Sequence, residues 1–250
     1  MKNNVIFTLS LLALVFSILA CGFIRIGDGD QDETITGSGP LVQENRDVGG
    51  ITGVELATSG TLHITMGRPT SLRVEAQENL MQYIETDVRG RTLLIHTPPG
   101  TDIRSTRPIK YYLTVEKLDE MVISSDGDIE AGDLKSDSLS VQINSSGNVS
   151  VGSLDGSSLE VRISSSGELK ITGGQVGEQR IRLSSSGEYQ ARDMASATAD
   201  IDLTSSGSAT VRVSDQLSGR LSSSGNIYYV GNPEVDVRMT SSGKTIQIDQ

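Results

Sequence analysis

Leu159-Glu160-Val161-Arg162-Ile163-Ser164-Ser165-Ser166-Gly167-Glu168-Leu169-Lys170-Ile171 is the stretch whose reading decides the fold. Leu159, Val161, Ile163, Ser165, Gly167, Leu169 and Ile171 are apolar or small, and the residues between them are polar. Alternation with period two marks a half-buried β-strand. The same words return on both sides. Ser124-Ser125-Asp126-Gly127 and Ser145-Ser146-Gly147 precede it; Ser184-Ser185-Ser186-Gly187, Ser205-Ser206-Gly207, Ser222-Ser223-Ser224-Gly225 and Ser241-Ser242-Gly243 follow. Their glycines, Gly127, Gly147, Gly167, Gly187, Gly207, Gly225 and Gly243, are separated by steps of 20, 20, 20, 20, 18 and 18 residues. Both steps are even, so each copy keeps the same parity, from Leu139, Val141 and Ile143 through Ile181 and Leu183, Ile201 and Leu203, Leu221, and Val235, Val237 and Met239. Only after Gly243 does the apolar pair, Ile246 and Ile248, slip by one.

A unit of this length with one apolar face cannot bury that face alone, but stacked copies can. The spacing predicts an all-β, single-stranded parallel β-helix (a β-solenoid) with rungs of 18–20 residues, right-handed as parallel crossovers are. An antiparallel β-sandwich also has short strands at regular spacing, but it gives no reason for identical words in identical columns. Each rung should turn at its serine–glycine word. Gly127, Gly147, Gly167, Gly187, Gly207, Gly225 and Gly243 would take the bend or a positive φ. Ser125, Ser145, Ser165, Ser185, Ser205, Ser223 and Ser241 would fill the corner and hydrogen-bond locally or to the next rung.

The chain has 250 residues with no Trp, one Cys and few aromatics, and all three Phe (Phe7, Phe16, Phe23) lie near the N-terminus. The core is therefore built of Val, Ile and Leu columns. A net charge of −11 and the lack of a basic run argue against nucleic acid as a partner. Lys2, the apolar run Val5–Ala20 and a small residue before the only cysteine, Cys21, read as a secretory signal over residues 1–20. The run is short for a membrane-spanning helix. Ile18-Leu19-Ala20-Cys21 resembles a bacterial lipoprotein signal, which implies cleavage before Cys21 and a diacylglyceryl group on its sulfur. Residues 21–47 are Gly-rich and acidic and read as a flexible tether. Asp28, Asp30 and Asp32 imitate the opening of a calcium loop, but Glu33 and Gly39 stand where that loop needs Gly and Glu.

Residues 48–118 are β-rich but irregular. Val54, Leu56, Thr58, Gly60, Leu62 and Ile64 copy the repeat, while Glu78 to Tyr83 suits a helical turn. This segment is expected to supply irregular first coils or a cap, with the regular rungs over 119–250. The connectors between rungs, such as Gly173-Gly174-Gln175-Val176-Gly177 and Met194-Ala195-Ser196-Ala197, read as surface turns. Outward columns carry mixed charge: Glu160, Arg180 and Asp200 in one, and Arg162, Arg182, Asp202, Arg220 and Arg238 in another. Arg162 over Arg182 is a like-charge contact with no explanation in the sequence.

Several features resemble one family. They are Ile51-Thr52-Gly53-Val54-Glu55-Leu56, Leu93-Leu94-Ile95-His96, Tyr111-Tyr112-Leu113-Thr114-Val115 and the Ser-Ser-Gly words with their alternation. Together, over roughly residues 48–250, they resemble the head GIN domain family of auto-transporter adhesins. The resemblance implies a β-helical fold at the cell envelope and offers no catalytic residues. A C-terminal membrane barrel pattern is not present in this chain.

The residues themselves argue against chemistry. A serine nucleophile needs a base held close, and the only histidines are His63 and His96. Ser241 and Lys244 have Ser-x-x-Lys spacing, without the helix or the following Lys-Thr-Gly. No histidine pair or cysteine set suggests zinc, and no cofactor is implied. Asp126, Asp128 and Asp133 read as solvated turn acids rather than a glycosidase pair. The expectation is a non-enzymatic, extracytoplasmic envelope lipoprotein, held to the membrane by lipid on Cys21. It would present its rungs to a macromolecular or glycan partner, as an adhesin or surface binding module. An alternative is a structural envelope element that self-associates through its C-terminal rung, where Ile246 and Ile248 have little cover. A polysaccharide-active β-helix enzyme is the remaining reading.

Overall fold

The computed structural model describes residues 33–249. The signal segment, Cys21, the first part of the tether and Asp28, Asp30 and Asp32 lie outside the described residues. From Glu120 onward the chain winds, coil on coil, as a parallel β-solenoid. On one face Met121, Val141, Val161, Ile181, Ile201, Gly219 and Val237 stand in register, each the Cα partner of the next. On the adjoining face the column is Ile129, Val149, Leu169, Tyr189, Ala209, Ile227 and Thr245. The members of both columns from Met121 to Ile227 that carry apolar side chains are fully or almost fully buried. Parallel pairing of like words in like columns excludes the sandwich. Thr245 in the core column, with Ile246 outward above Tyr228, is the slip that follows Gly243.

The connectors are not simple surface turns. Leu134, Leu154 and Gly174 pair in sequence, and Val176 pairs with Ser196, which pairs with Val213. They form a third, shorter ladder, and the strands Glu188–Leu203 and Ser208–Leu221 run through it without a break. This ladder also explains the change of step. Ala191 pairs with Val211, but the next pair is Ala195 with Arg212, so Arg192, Asp193 and Met194 form a bulge. Between Ser196 and Thr198 there is one residue, where the next coil has two. Three residues fewer and one more turn a step of 20 into one of 18.

The N-terminal end is not wound in chain order. Gly53–Ala57 pairs with Thr92–His96 on one side and Glu120–Ile123 on the other. Thr61–Met66 likewise lies between Lys110–Val115 and Asp128–Lys135. The coil 92–115 is therefore outermost, although 53–66 precedes it in the chain. Beyond it the pairing turns antiparallel: Ser71–Gln77 lies on Lys110–Val115, and Glu85–Arg89 on Thr92–His96. Between these two strands Glu78–Tyr83 forms a 3-10 helix that buries Leu80 and Met81 and, with Ile84, covers the end of the core. Gln77 is buried; its Oε1 accepts from Thr106 N and from the hydroxyls of Ser105 and Thr106, which ties the loop after Thr101–Arg104 to the cap.

The tether expected to reach Asp47 is corrected over its second half. Leu41–Arg46 is a strand, antiparallel to Ser71–Gln77 over six residue pairs, and Glu33–Thr36 pairs with Thr101–Arg104. Leu41–Arg46 is an edge strand held by its backbone ladder. Its side chains are mostly exposed and carry no alternation for a sequence reading to find.

A long polar side chain also stands in a core column. Gln179 stands in the column between Leu159 and Ala199 and is 1% exposed. Its Oε1 accepts from Tyr189 Oη at 2.6 Å, its Nε2 donates to Ser196 Oγ at 2.8 Å, and Ser196 donates to the Arg212 carbonyl at 3.0 Å. Every member is satisfied, as a buried network must be. Burial holds the Tyr189 phenol protonated well above its ordinary range. Tyr189→Phe is expected to cost about 1–3 kcal/mol, because Gln179 loses a donor it cannot replace. Adding Gln179→Leu should recover most of that loss. Urea midpoints of the two variants check both statements.

Candidate functional site

The serine–glycine corner is the most repeated feature of the surface. In each word the glycine is buried, the serine two residues before it is half-buried (exposed in the last word, Ser241), and the residues beside that serine are exposed. Ser125 Oγ donates to the Thr58 carbonyl at 2.7 Å. Ser145 donates to the Ser125 carbonyl, and Ser165 to that of Ser145. These hydroxyls are committed to the coil below. The glycines are needed for a different reason from the one expected. Gly127, Gly147, Gly167, Gly187, Gly207, Gly225 and Gly243 do not have positive φ; of the corner glycines, only Gly60 does. A Cβ at Gly147 would stand 2.1 Å from the Gly127 carbonyl oxygen, and one at Gly207 2.5 Å from that of Gly187. The column is glycine because backbone lies on backbone there.

The neighbouring columns are hydrogen-bonded ladders. Ser164 Oγ donates to Asn144 Oδ1, and Asn148 donates to Asp128 Oδ1 through both its backbone N and its Nδ2. Ser153 donates to Asp133. Asp128 and Asp133 thus each hold a residue of the next coil, while Asp126 is exposed at its corner. The like-charge stack is resolved by orientation. Arg162 turns to Glu160 on its own strand at 2.5 Å, and Arg182 reaches Asp200 at 2.7 Å and Asp202 at 3.2 Å. Each guanidinium faces a carboxylate instead of the other.

The histidines lie apart from the serine words' chemistry. His63 points outward, with Nδ1 3.1 Å from Glu130 and its ring stacked on Tyr112, over which Arg73 also lies at 4.5 Å. His96 sits on the outermost coil with Nε2 3.1 Å from Asp87 and Nδ1 3.0 Å from the Thr97 carbonyl. Ser241 and Lys244 flank the turn into the last strand, Lys244–Gln247, and are not on a helix. Among the described residues no three His, Cys, Asp or Glu side chains gather as a metal site.

Two of the grooves among the described residues have room for a ligand. One, of about 690 Å³, runs across the third ladder past Gln175, Ser196, Arg212, Ser214 and Asn232. The other, of about 980 Å³, lies at the cap between Glu44, Arg46, Asn79, Glu85 and Asp87. Sequence reading missed both, since they are formed by connectors and edge strands that carry no periodic signal.

Solved structures share this architecture. A putative adhesin from Bacteroides fragilis superposes with a TM-score of 0.81 at 20% identity, covering 86% of this chain and 100% of its own. A putative lipid binding protein from Parabacteroides distasonis has a TM-score of 0.71 at 23% identity, with the same two coverages. A putative adhesin from Parabacteroides distasonis follows at 0.66 and 19%, again over 86% and 100%. No curated protein matches the chain. A family model matches residues 51–233, from the first buried coil to the turn before the last one, and on that match the chain belongs to the family described as "Putative auto-transporter adhesin, head GIN domain".

Proposed function

We propose that this chain is a non-enzymatic binding module of the bacterial envelope. It is anchored by lipid on Cys21 and holds its rungs out to a macromolecular or glycan partner. The observation that carries the reading is the use to which the repeated polar residues are put. The corner hydroxyls of Ser125, Ser145 and Ser165 donate to the coil below, and outward Asp, Asn and Ser side chains bond along the ladder. The result is a rigid polar surface of fixed spacing, which suits recognition better than turnover. Family membership over residues 51–233 supports it. No helix among the described residues is long and apolar enough to cross a membrane. On this reading lipid on Cys21 provides the attachment.

Two measurements test it. Cys21→Ser is expected to abolish incorporation of an alkyne-tagged fatty acid and move the chain from the membrane to the soluble fraction. Retained label would remove the anchor from the reading. The purified chain should bind components of a glycan and matrix-protein array saturably and leave them intact. Shortening of a bound polysaccharide would overturn the non-enzymatic assignment.

A further inference from the structure

We propose that two copies of this chain join through the free edge of the last rung, as a two-fold dimer in which Val237 of one copy faces Val237 of the other. The two ends of the solenoid are finished differently. Leu80, Met81 and Ile84 close the core at the cap. At the other end Glu234–Met239 pairs with Ser208–Leu221 and, among the described residues, has no strand beyond it. Its inward side chains remain open to solvent: Val235 is 42% and Met239 53% exposed, and Val237 lies over Gly219, which has no side chain to support it.

The backbone sets which register a second copy can take. Thr240 N–H donates to the Leu221 carbonyl, and Leu221 is the Cα partner of Met239. In a parallel ladder this turns the N–H and C=O of Asp236, Arg238 and Thr240 toward the preceding coil. It leaves those of Val235, Val237 and Met239 aimed at the open edge. A two-fold axis of an antiparallel pair can pass a hydrogen-bonded pair, at Val235, Val237 or Met239, or a non-hydrogen-bonded pair, at Asp236 or Arg238, where it would set that charge against its own copy. At Val235 it would set Glu234 against Asp236, two like charges. At Met239 it would leave Val235 unmatched. At Val237 it sets Val235 against Met239 twice on the inner face, and Asp236 against Arg238 twice on the outer face. Asp236 and Arg238 are exposed, and neither takes part in a salt bridge among the described residues. Opposite charges directly across a strand pair stabilise it, and like charges do the reverse. A contact of this kind closes on itself at two copies. The contact expected at Ile246 and Ile248 thus moves to the neighbouring face. Both isoleucines are half-buried, and Ile246 continues the outward column above Tyr228.

Sedimentation equilibrium of the purified chain tests the arrangement. A reversible dimer is expected. Asp236→Arg alone and Arg238→Asp alone should each weaken it roughly tenfold by putting like charges across the strand pair. The double exchange should restore it, because the pairs are then re-formed with signs reversed. Val237→Lys should leave only monomer. These positions are exposed or half-buried on a terminal strand, and an unchanged thermal melt of the monomer would show that the fold is kept. A monomer at every concentration overturns the proposal, as does a dimer indifferent to Asp236→Arg or a double exchange that restores nothing. Growth beyond two copies that is blocked by Val88→Lys overturns it in favour of head-to-tail stacking onto Glu85–Arg89.

Discussion

Gly167→Ala is expected to lower stability by about 3 kcal/mol, at the upper end of the usual cost of overpacking. For a domain of this size that is a fall in Tm of roughly 6–12 °C. The added Cβ would lie 2.4 Å from the Gly147 carbonyl oxygen, 2.6 Å from Ile143 Cγ2 and 2.9 Å from the Ser145 carbonyl oxygen. Two of the three are backbone atoms of the coil below, and they can move only by opening the ladder. Since Gly167 lacks a positive φ, the loss measures the approach of coils and not backbone strain. Gly132→Ala is the matched control. A Cβ there meets nothing within 4 Å, and the change should stay within about 0.5 kcal/mol. Thermal melts of the two variants decide the matter. Equal melting temperatures would mean that the corner column is not close-packed.

Ile181→Ala should be at least as damaging, costing about 2–5 kcal/mol through lost burial and the cavity left behind. Ile181 is fully buried and lies between Val161 and Ile201 in the middle of the stack. Each coil touches only its neighbours, so a weak coil in the middle divides the molecule into two shorter stacks. Val237→Ala, in the same column at the open end, removes a half-buried side chain and should cost roughly 1 kcal/mol or less. The position effect is the informative part. Chemical denaturation of Ile181→Ala should show a lower midpoint and a broader or stepped transition, while Val237→Ala keeps a single sharp one.

The rungs were legible because a solenoid repeats one packing problem. Val141, Val161, Ile181 and Ile201 meet the same surroundings, so the sequence answers with the same residue class at a constant step. What was hidden obeys other forces. Leu41–Arg46 is held by backbone hydrogen bonds, which leave no side-chain pattern. The third ladder was hidden because Gly174, Ala195 and Ser196 are the residues of turns, and only their neighbours in space make them a sheet. Gln179 is a polar residue in an apolar column, and its place in the core depends on Tyr189 and Ser196, which lie ten and seventeen residues further along the chain. The glycine column was found by its spacing, but its cause was not: a glycine kept for positive φ and one kept for close approach look the same in one sequence. For the candidate site, the corner serines and outward charges were legible as columns. The grooves were not.

The interleaving of 53–66 between 92–115 and 120–135 gives the chain a direction of assembly. As it leaves the ribosome, Gly53–Ala57 must wait 39 residues for its first ladder partner, Thr92–His96, and 67 for its second, Glu120–Ile123. Loop closure over such distances is slow compared with adding a neighbour one turn away. The cap and its first coils therefore form the slow nucleus, and from Ser138 onward each turn can be laid on the last as it is made. The same asymmetry sets where length can change in descent: coils can be gained or lost one at a time beyond the nucleus, while residues 53–135 stand or fall together.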